Sequence, residues 1–344
     1  MTSIRTLTHS GFVSAFFILF SILTNHSNAA EQHQHQHQHG HDGAFSDPGI
    51  LAPVNQDWND TTLNYDEKYR DSDLVVALGQ QTHPLFKQLI ADYAKQNNIK
   101  ITLLHGTCGI TSGRLRKKQV DVGAFCCPPG VNDRFPGMKF HSLGISPIAL
   151  IVHPSNPLKN LSRQQAREIF QGKVSKWSAV DGAAPALSSY IKPVGRLHCK
   201  IRPGHWRLLL SNENEFSPRL FEVGVIADMI SQVARNKNAI GWEVPLMVEV
   251  YKDKGEVRML KIDGHSADDL EYLLSGHYPL YRSYSLTTWE NKDHKQSANK
   301  LVSYLQAHIE KVHAEVNYIP PSRLRKAGWK FIGDELVGEP DKSF

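Results

Sequence analysis

The feature that most constrains this fold is an alternation of short apolar runs with helix-spaced segments. Residues 73–78 (DLVVAL) form an apolar run closed by Gly79, the pattern of a strand buried on both faces. Across 84–97, Leu85, Leu89, Ile90 and Tyr93 recur at helical spacing. A second strand follows at 100–104 (KITLL), and then a short helix over 110–119. Arg114, Lys117 and Lys118 form the solvated face of that helix, and 120–125 gives a third strand. Strand, helix, strand, helix, strand predicts an α/β fold with a mainly parallel sheet. Ligands of such sheets bind outside the carboxyl ends of the strands.

The pattern resumes further on. Residues 146–153 (SPIALIVH) read as one long strand, 162–170 as a helix capped by Ser162, and 221–235 as an amphipathic helix. Strands are expected at 239–244 (AIGWEV), 258–262 and 281–286, with a helix over 293–312. No internal repeat is visible. Chain crossings near 150 and 245 would divide these elements into two α/β units.

Composition narrows the function classes. With 344 residues, 40% hydrophobic and 21% charged, the chain can bury one large bilobed core or two ordinary ones. Wholesale disorder, collagen-like and coiled-coil architectures are excluded. A formal charge of +5 with no basic stripe excludes a strongly basic nucleic-acid binder.

At the amino end, Arg5 precedes an apolar run over 11–23, and Ser27-Asn28-Ala29 follows in a small-x-small pattern. Residues 1–29 therefore read as a secretory signal peptide, and the expected location is the periplasm, an oxidising compartment. Residues 30–71 read as a His-rich flexible linker, with His33, His35, His37, His39 and His41 at every second position. Neutral imidazoles on such a tether capture Cu, Zn and similar ions.

Against this background, IFQGKVSKWSAV (169–180) resembles the helix-exit signature of periplasmic phosphate-binding proteins of ABC transporters. VVALG, LLHGTCGI, VDVGAF, AIGWE and YPLYRSYSLTTW are similar to that family's strand-loop segments and fall in the expected order. The likeness covers about 72–320. It implies a bilobed type II periplasmic-binding fold, with two α/β lobes joined by a two-strand hinge and a monomeric, non-enzymatic receptor. Residues 72–150 plus 246–344 would form one lobe and 151–245 the other. The partners implied are a small inorganic ligand and an ABC permease or membrane sensor, with no nucleic acid.

The strand-end loops depart from the family pattern. They read Gln80-Gln81-Thr82-His83, Thr107-Cys108, Cys126-Cys127, and Gly195 to His205. In this fold those loops converge on the cleft. The expected ligand set is therefore Thr82, His83, Thr107, Cys108, Cys126, Cys127, His198, Cys199, Arg202 and His205.

Three chemistries fit this set. Cys108, Cys126, Cys127, His198 and Cys199, with the accessory tract histidines, would suit a soft or borderline ion such as Cu or Zn, or a trivalent thiophile such as arsenite. Helix N-termini and Arg202 would lower the thiol pKa values for that purpose. Disulfides are the second option, and place Cys108 beside Cys126 or Cys127 in one lobe. The third retains phosphate or another oxyanion, held by Thr82, Thr107, backbone N–H groups and Arg202. A thiol-dependent enzyme built on Cys199 with His198 or His205 is the reading from another class.

Overall fold

The computed structural model describes residues 45–180, 189–197, 210 and 214–341, which belong to one compact unit. The signal segment and the His tract lie outside these residues. Strands follow in chain order: β1 (Leu74–Gly79), β2 (Ile101–Gly106), β3 (Val122–Phe125), β4 (Met138–Pro147), β5 (Ala149–Val152), β6 (Asn160–Leu161) and β7 (Lys192–Gly195). After them come β8 (Phe221–Glu222), β9 (Ala239–Glu243), β10 (Arg258–Ile262), β11 (Tyr281–Trp289), β12 (Lys330–Ile332) and β13 (Glu335–Gly338). The helices are α1 (Gln56–Asp60), α2 (His83–Asn97), α3 (Cys108–Arg116), α4 (Arg163–Gln171) and α5 (Ile226–Arg235). They continue with α6 (Pro245–Val250), α7 (Leu270–Leu274), α8 (Gln296–Val312) and α9 (Pro321–Lys326).

Two sheets organise the molecule. The first has the order β2-β1-β3-β11-β4, in which β1 is parallel to β2 and β3 while β11 is antiparallel to β3 and β4. The second has the order β6-β10-β5-β9-β7-β8. Each sheet carries its own apolar core, one around Leu74–Leu78 with Phe86 and Phe125, the other around Leu150, Phe170 and Trp242. These two sheets with their helices are the two α/β lobes.

Local chemistry explains the helices that frame the cleft. Helix α2 buries Phe86, Ile90 and Tyr93, a stripe rotated from the expected one because Leu85 and Leu89 sit at its edge. Burying one such side chain fully contributes about 1.5–3 kcal/mol. Helix α4 opens with a capping box, Ser162 Oγ accepting from Gln165 N while Gln165 accepts from Ser162 N. It stops at Gly172, whose φ of +78° supplies the left-handed cap, which is the physical content of the FQGK segment. Helix α5 buries Ile226, Met229, Ile230 and Val233, one apolar face at i, i+3, i+4 and i+7.

Three expectations are corrected. Residues 146–153 are not one strand: β4 and β5 belong to different sheets and the break falls at Ile148. There Ile148 N donates to Leu280 O at 2.7 Å, and Tyr278 Oη donates to Ile148 O at 2.9 Å. The return crossing comes later than residue 245, because β10 pairs antiparallel with β5 and stays in the second sheet. The chain re-enters the first sheet only at β11, so residues 246–262 go with the second lobe. Lys118 is not solvated; it is 1% exposed, 3.0 Å from Asp293 and stacked over Trp58.

After α8 the chain comes back across this crossing. Ile319 pairs with Ile145, Ser142 N donates to Asp334 O, and Arg134 forms a two-pronged ion pair with Glu335. On the other side, Trp329 Nε1 donates to Leu274 O and Tyr281 Oη to Glu339.

Candidate functional site

Parallel pairing of β1, β2 and β3 aligns their carboxyl ends, and the loops leaving them carry the unusual residues. Thr107 caps α3, its Oγ1 accepting from Ile110 N at 3.3 Å, so Cys108 becomes the first helical residue. Cys126 and Cys127 follow β3 directly. Cys108 Sγ and Cys126 Sγ lie 3.2 Å apart, and Cys108, Cys126 and Cys127 are all buried with no disulfide among the described residues. The juxtaposition of Cys108 with Cys126 matches the expectation from the sequence.

The direction of the thiol pKa shifts does not. Hydrogen bonding with Cys108 does most to push the Cys126 thiol up to about 11, burial adding to it against the lowering effects of Cys127 and Arg282. Cys127 is held well above the ordinary thiol range by its hydrogen bonds with Cys108 and Cys126 and by burial. Mutual thiol contacts and desolvation outweigh the nearby cation, so these groups are protonated at neutral pH.

That cation is Arg282, the second residue of β11 and 3% exposed. Its Nη1 lies 3.6 Å from Cys127 Sγ and 3.9 Å from Cys126 Sγ, and its Nε has no hydrogen-bond partner. Across the ladder Arg282 pairs with Ser146, whose hydroxyl is buried without a partner too. Glu243, at the end of β9, acts on Arg282 electrostatically.

Glu243 is itself engaged. It is 0% exposed, and Arg196 Nη2 lies 2.5 Å from its Oε2, while Gln81 Nε2 donates to Oε1 at 2.6 Å. Val244 N donates to the same Oε1 at 2.9 Å. Gln80 makes a parallel set of contacts: its Oε1 accepts from Ile226 N at the start of α5 (3.1 Å) and from Arg196 Nη1 (3.4 Å). Its Nε2 donates to Gly224 O at 3.1 Å. Two glutamines from the first lobe thus close onto Arg196, Glu243 and α5 of the second.

The other expected ligands fare differently. Thr82 is buried, and its Oγ1 both accepts from Gly79 N and donates to Gly79 O, closing its own turn. His83 begins α2 and packs against His105, the rings tilted with centroids 4.6 Å apart; burial, then His105 and Lys87, lower its pKa. His198, Cys199, Arg202 and His205 lie outside the described residues, as do His33, His35, His37, His39 and His41. Among the described residues, no group of three or more His, Cys, Asp or Glu is arranged to hold a metal ion.

Sequence reasoning passed over Arg196, Glu243 and Arg282 as site residues, although a signal existed. Each is a charge inside or just after an otherwise apolar strand (KPVGR, AIGWEV, YRSYSLTTW), where burial demands a partner.

Residues 56–196 match the family model described as a PBP superfamily domain. The fold is the type II periplasmic-binding fold. A phosphate-bound, putative phosphate ABC transporter substrate-binding protein from Clostridium perfringens superposes with a TM-score of 0.63 at 19% identity, covering 72% of this chain and 98% of that one. An ABC-type phosphate transport receptor from Vibrio cholerae gives 0.58 at 17% identity, over 72% and 100%. By sequence, phosphate-binding protein PstS 2 of Streptococcus agalactiae serotype V is 25% identical over 122 residues, 35% of this chain. The match spans 41% of the length of that relative. The chain is therefore phosphate-binding-protein-like. Among the described residues no helix is long and apolar enough to cross a membrane.

Proposed function

We propose that this periplasmic-binding-type protein is a receptor for a small inorganic oxyanion, phosphate or a close analogue, which it carries in the periplasm to an ABC permease. The observation that carries this reading is the charge balance of the buried site. Arg196 and Arg282 share one buried carboxylate, Glu243, and Arg196 already engages it at 2.5 Å. Among the described residues, Arg282 has two thiol sulfurs, neutral at physiological pH, as its hydrogen-bond partners. A buried guanidinium in that state is stabilised by an anion that brings charge and several acceptor oxygens at once. Protonated Cys126 and Cys127 can then serve as weak donors beside it.

The relatives' printed names, phosphate-binding proteins and receptors, support the same choice of ligand. Delivery to a permease, a monomeric state and a non-enzymatic role are parts of this proposal. The three gathered thiols favour a second reading, a thiophilic trivalent ligand such as arsenite, over the Cu or Zn ion expected from the sequence.

Calorimetry on the full chain, dialysed free of anions, tests both. Phosphate is expected to bind with a micromolar or tighter Kd, and Arg282→Met to weaken it about 100-fold, the loss of a buried charge-assisted contact of about 3 kcal/mol. Arsenite binding that survives Arg282→Met but not Cys126→Ser, without phosphate binding, would replace the first reading by the second.

A further inference from the structure

We infer that Cys108 and Cys126 form a redox-active dithiol, a modification site that takes a disulfide-bearing oxidant and closes to a Cys108–Cys126 disulfide. The regulatory part of this inference rests on the oxyanion reading above; the covalent part does not.

The two sulfurs stand 3.2 Å apart, in direct contact, against a disulfide bond length of about 2.05 Å. Their backbones are fixed by different devices: Cys108 by the capped start of α3, Cys126 by the end of β3. These elements pack on the same sheet, so the approach is built into the lobe and does not depend on closing the cleft. Cys126 is also the most accessible of the three thiols, at 8% exposure against 2% for each of the others. Cys127 hydrogen-bonds with both of the others and also lies 3.6 Å from Arg282 Nη1.

The chemistry is two successive exchanges. The Cys126 thiolate attacks one sulfur of the oxidant disulfide, forming a mixed disulfide and releasing one thiol, which takes up the proton Cys126 lost. Cys108, deprotonated in turn, attacks Cys126 Sγ and expels the second thiol. Two protein thiols are oxidised to one disulfide and one external disulfide is reduced to two thiols. High thiol pKa values make the first exchange slow.

Oxidation changes the anion site. Cys126 loses its S–H beside Arg282, while Cys127 keeps its own. Each hydrogen bond lost corresponds to about threefold to tenfold in affinity. The reduced form is therefore the better receptor and the disulfide form the weaker one.

The test is oxidised glutathione applied to the native full chain, followed by alkylation of remaining thiols and peptide mapping, with Cys199→Ser run in parallel to remove the fourth cysteine. The expected result is loss of two hydrogen atoms in the intact mass, a Cys108–Cys126 cross-link in both proteins, and Cys127 recovered as a free thiol. Cys126 linked to Cys127 or Cys199, or all three thiols alkylated on unfolding after prolonged oxidant, overturns the proposal. Phosphate calorimetry on the oxidised chain then reads the regulation: threefold or greater weakening, reversed by dithiothreitol, is expected, and unchanged affinity in cross-linked protein overturns that part. Mapping needs no ligand, so a failure of the phosphate reading leaves the dithiol result intact.

Discussion

Cys126 shows how much a residue's chemistry depends on neighbours that are distant in sequence. Its sulfur is protonated because another thiol and a buried environment surround it, even though a guanidinium is close by. An ordinary thiol ionises near 8.5 and its alkylation rate levels off a unit or so above that. With a pKa near 11, Cys126 is expected to react with iodoacetamide at a rate still climbing between pH 8.5 and 10, since its thiolate fraction keeps growing there. A plateau by pH 9.5, read by mass spectrometry of the Cys126 peptide, would contradict the buried thiol cluster. At this scale the sequence was half legible. Cysteines at strand ends stand out in the text of the chain, but Arg282 and Glu243 act on each other electrostatically only once β11 and β9 are placed, and no local pattern encodes an interaction between sheets.

At the scale of elements, the regular segments were readable because their apolar spacing is local: β1, α2 and β10 fall close to where periodicity puts them, whereas the helix expected over 221–235 starts only at Ile226, Phe221–Glu222 being paired as β8. Breaks were harder. SPIALIVH contains no signal that Ile148 separates two sheets, since both halves are equally apolar and the division is made by which strands they meet. Helix α3 began at Cys108 and not at 110 because Thr107 caps it, a reassignment that also fixes where one sulfur of the thiol pair stands. Gly144 carries the most exacting demand of any strand position. It has φ of +110° beside the register shift at Tyr284 and Ser285, and a Cβ there would sit 2.1 Å from Ile319 O. Gly144→Ala is accordingly expected to destabilise the protein by about 3 kcal/mol or more, since both the backbone conformation and the contact with Ile319 must yield. Urea denaturation of the variant checks this, and a midpoint within error of the parent would refute it.

For the whole molecule, the contacts of Gln80 and Gln81 define a closed form held by the chain's own polar groups. The Gln80 carboxamide oxygen accepts from a helix N-terminus and an arginine together, the same kind of donors an oxyanion would use. Closure and ligand binding are thus linked by population shift: removing these contacts favours the open form and leaves the donors to the ligand. Gln80→Ala with Gln81→Ala is expected to raise the radius of gyration of the anion-free protein in X-ray scattering, and phosphate to restore the compact value. Identical anion-free profiles for parent and variant would show that the glutamines do not hold the lobes together. The sequence placed this loop at the cleft, but the partners of Gln80 and Gln81 were not legible in it, because they belong to the opposite lobe.

The last segment of the chain, from Ile319 to Glu339, is fastened to β4 on one side of the crossing and to α7 and β11 on the other. A joint stitched along one edge behaves like the spine of a book. Opening of the lobes is therefore expected to be least beside Trp329 and Glu335 and greatest at the rim farthest from them. On that expectation solute enters and leaves by the rim, while the spine keeps one shape whether the book is shut or open.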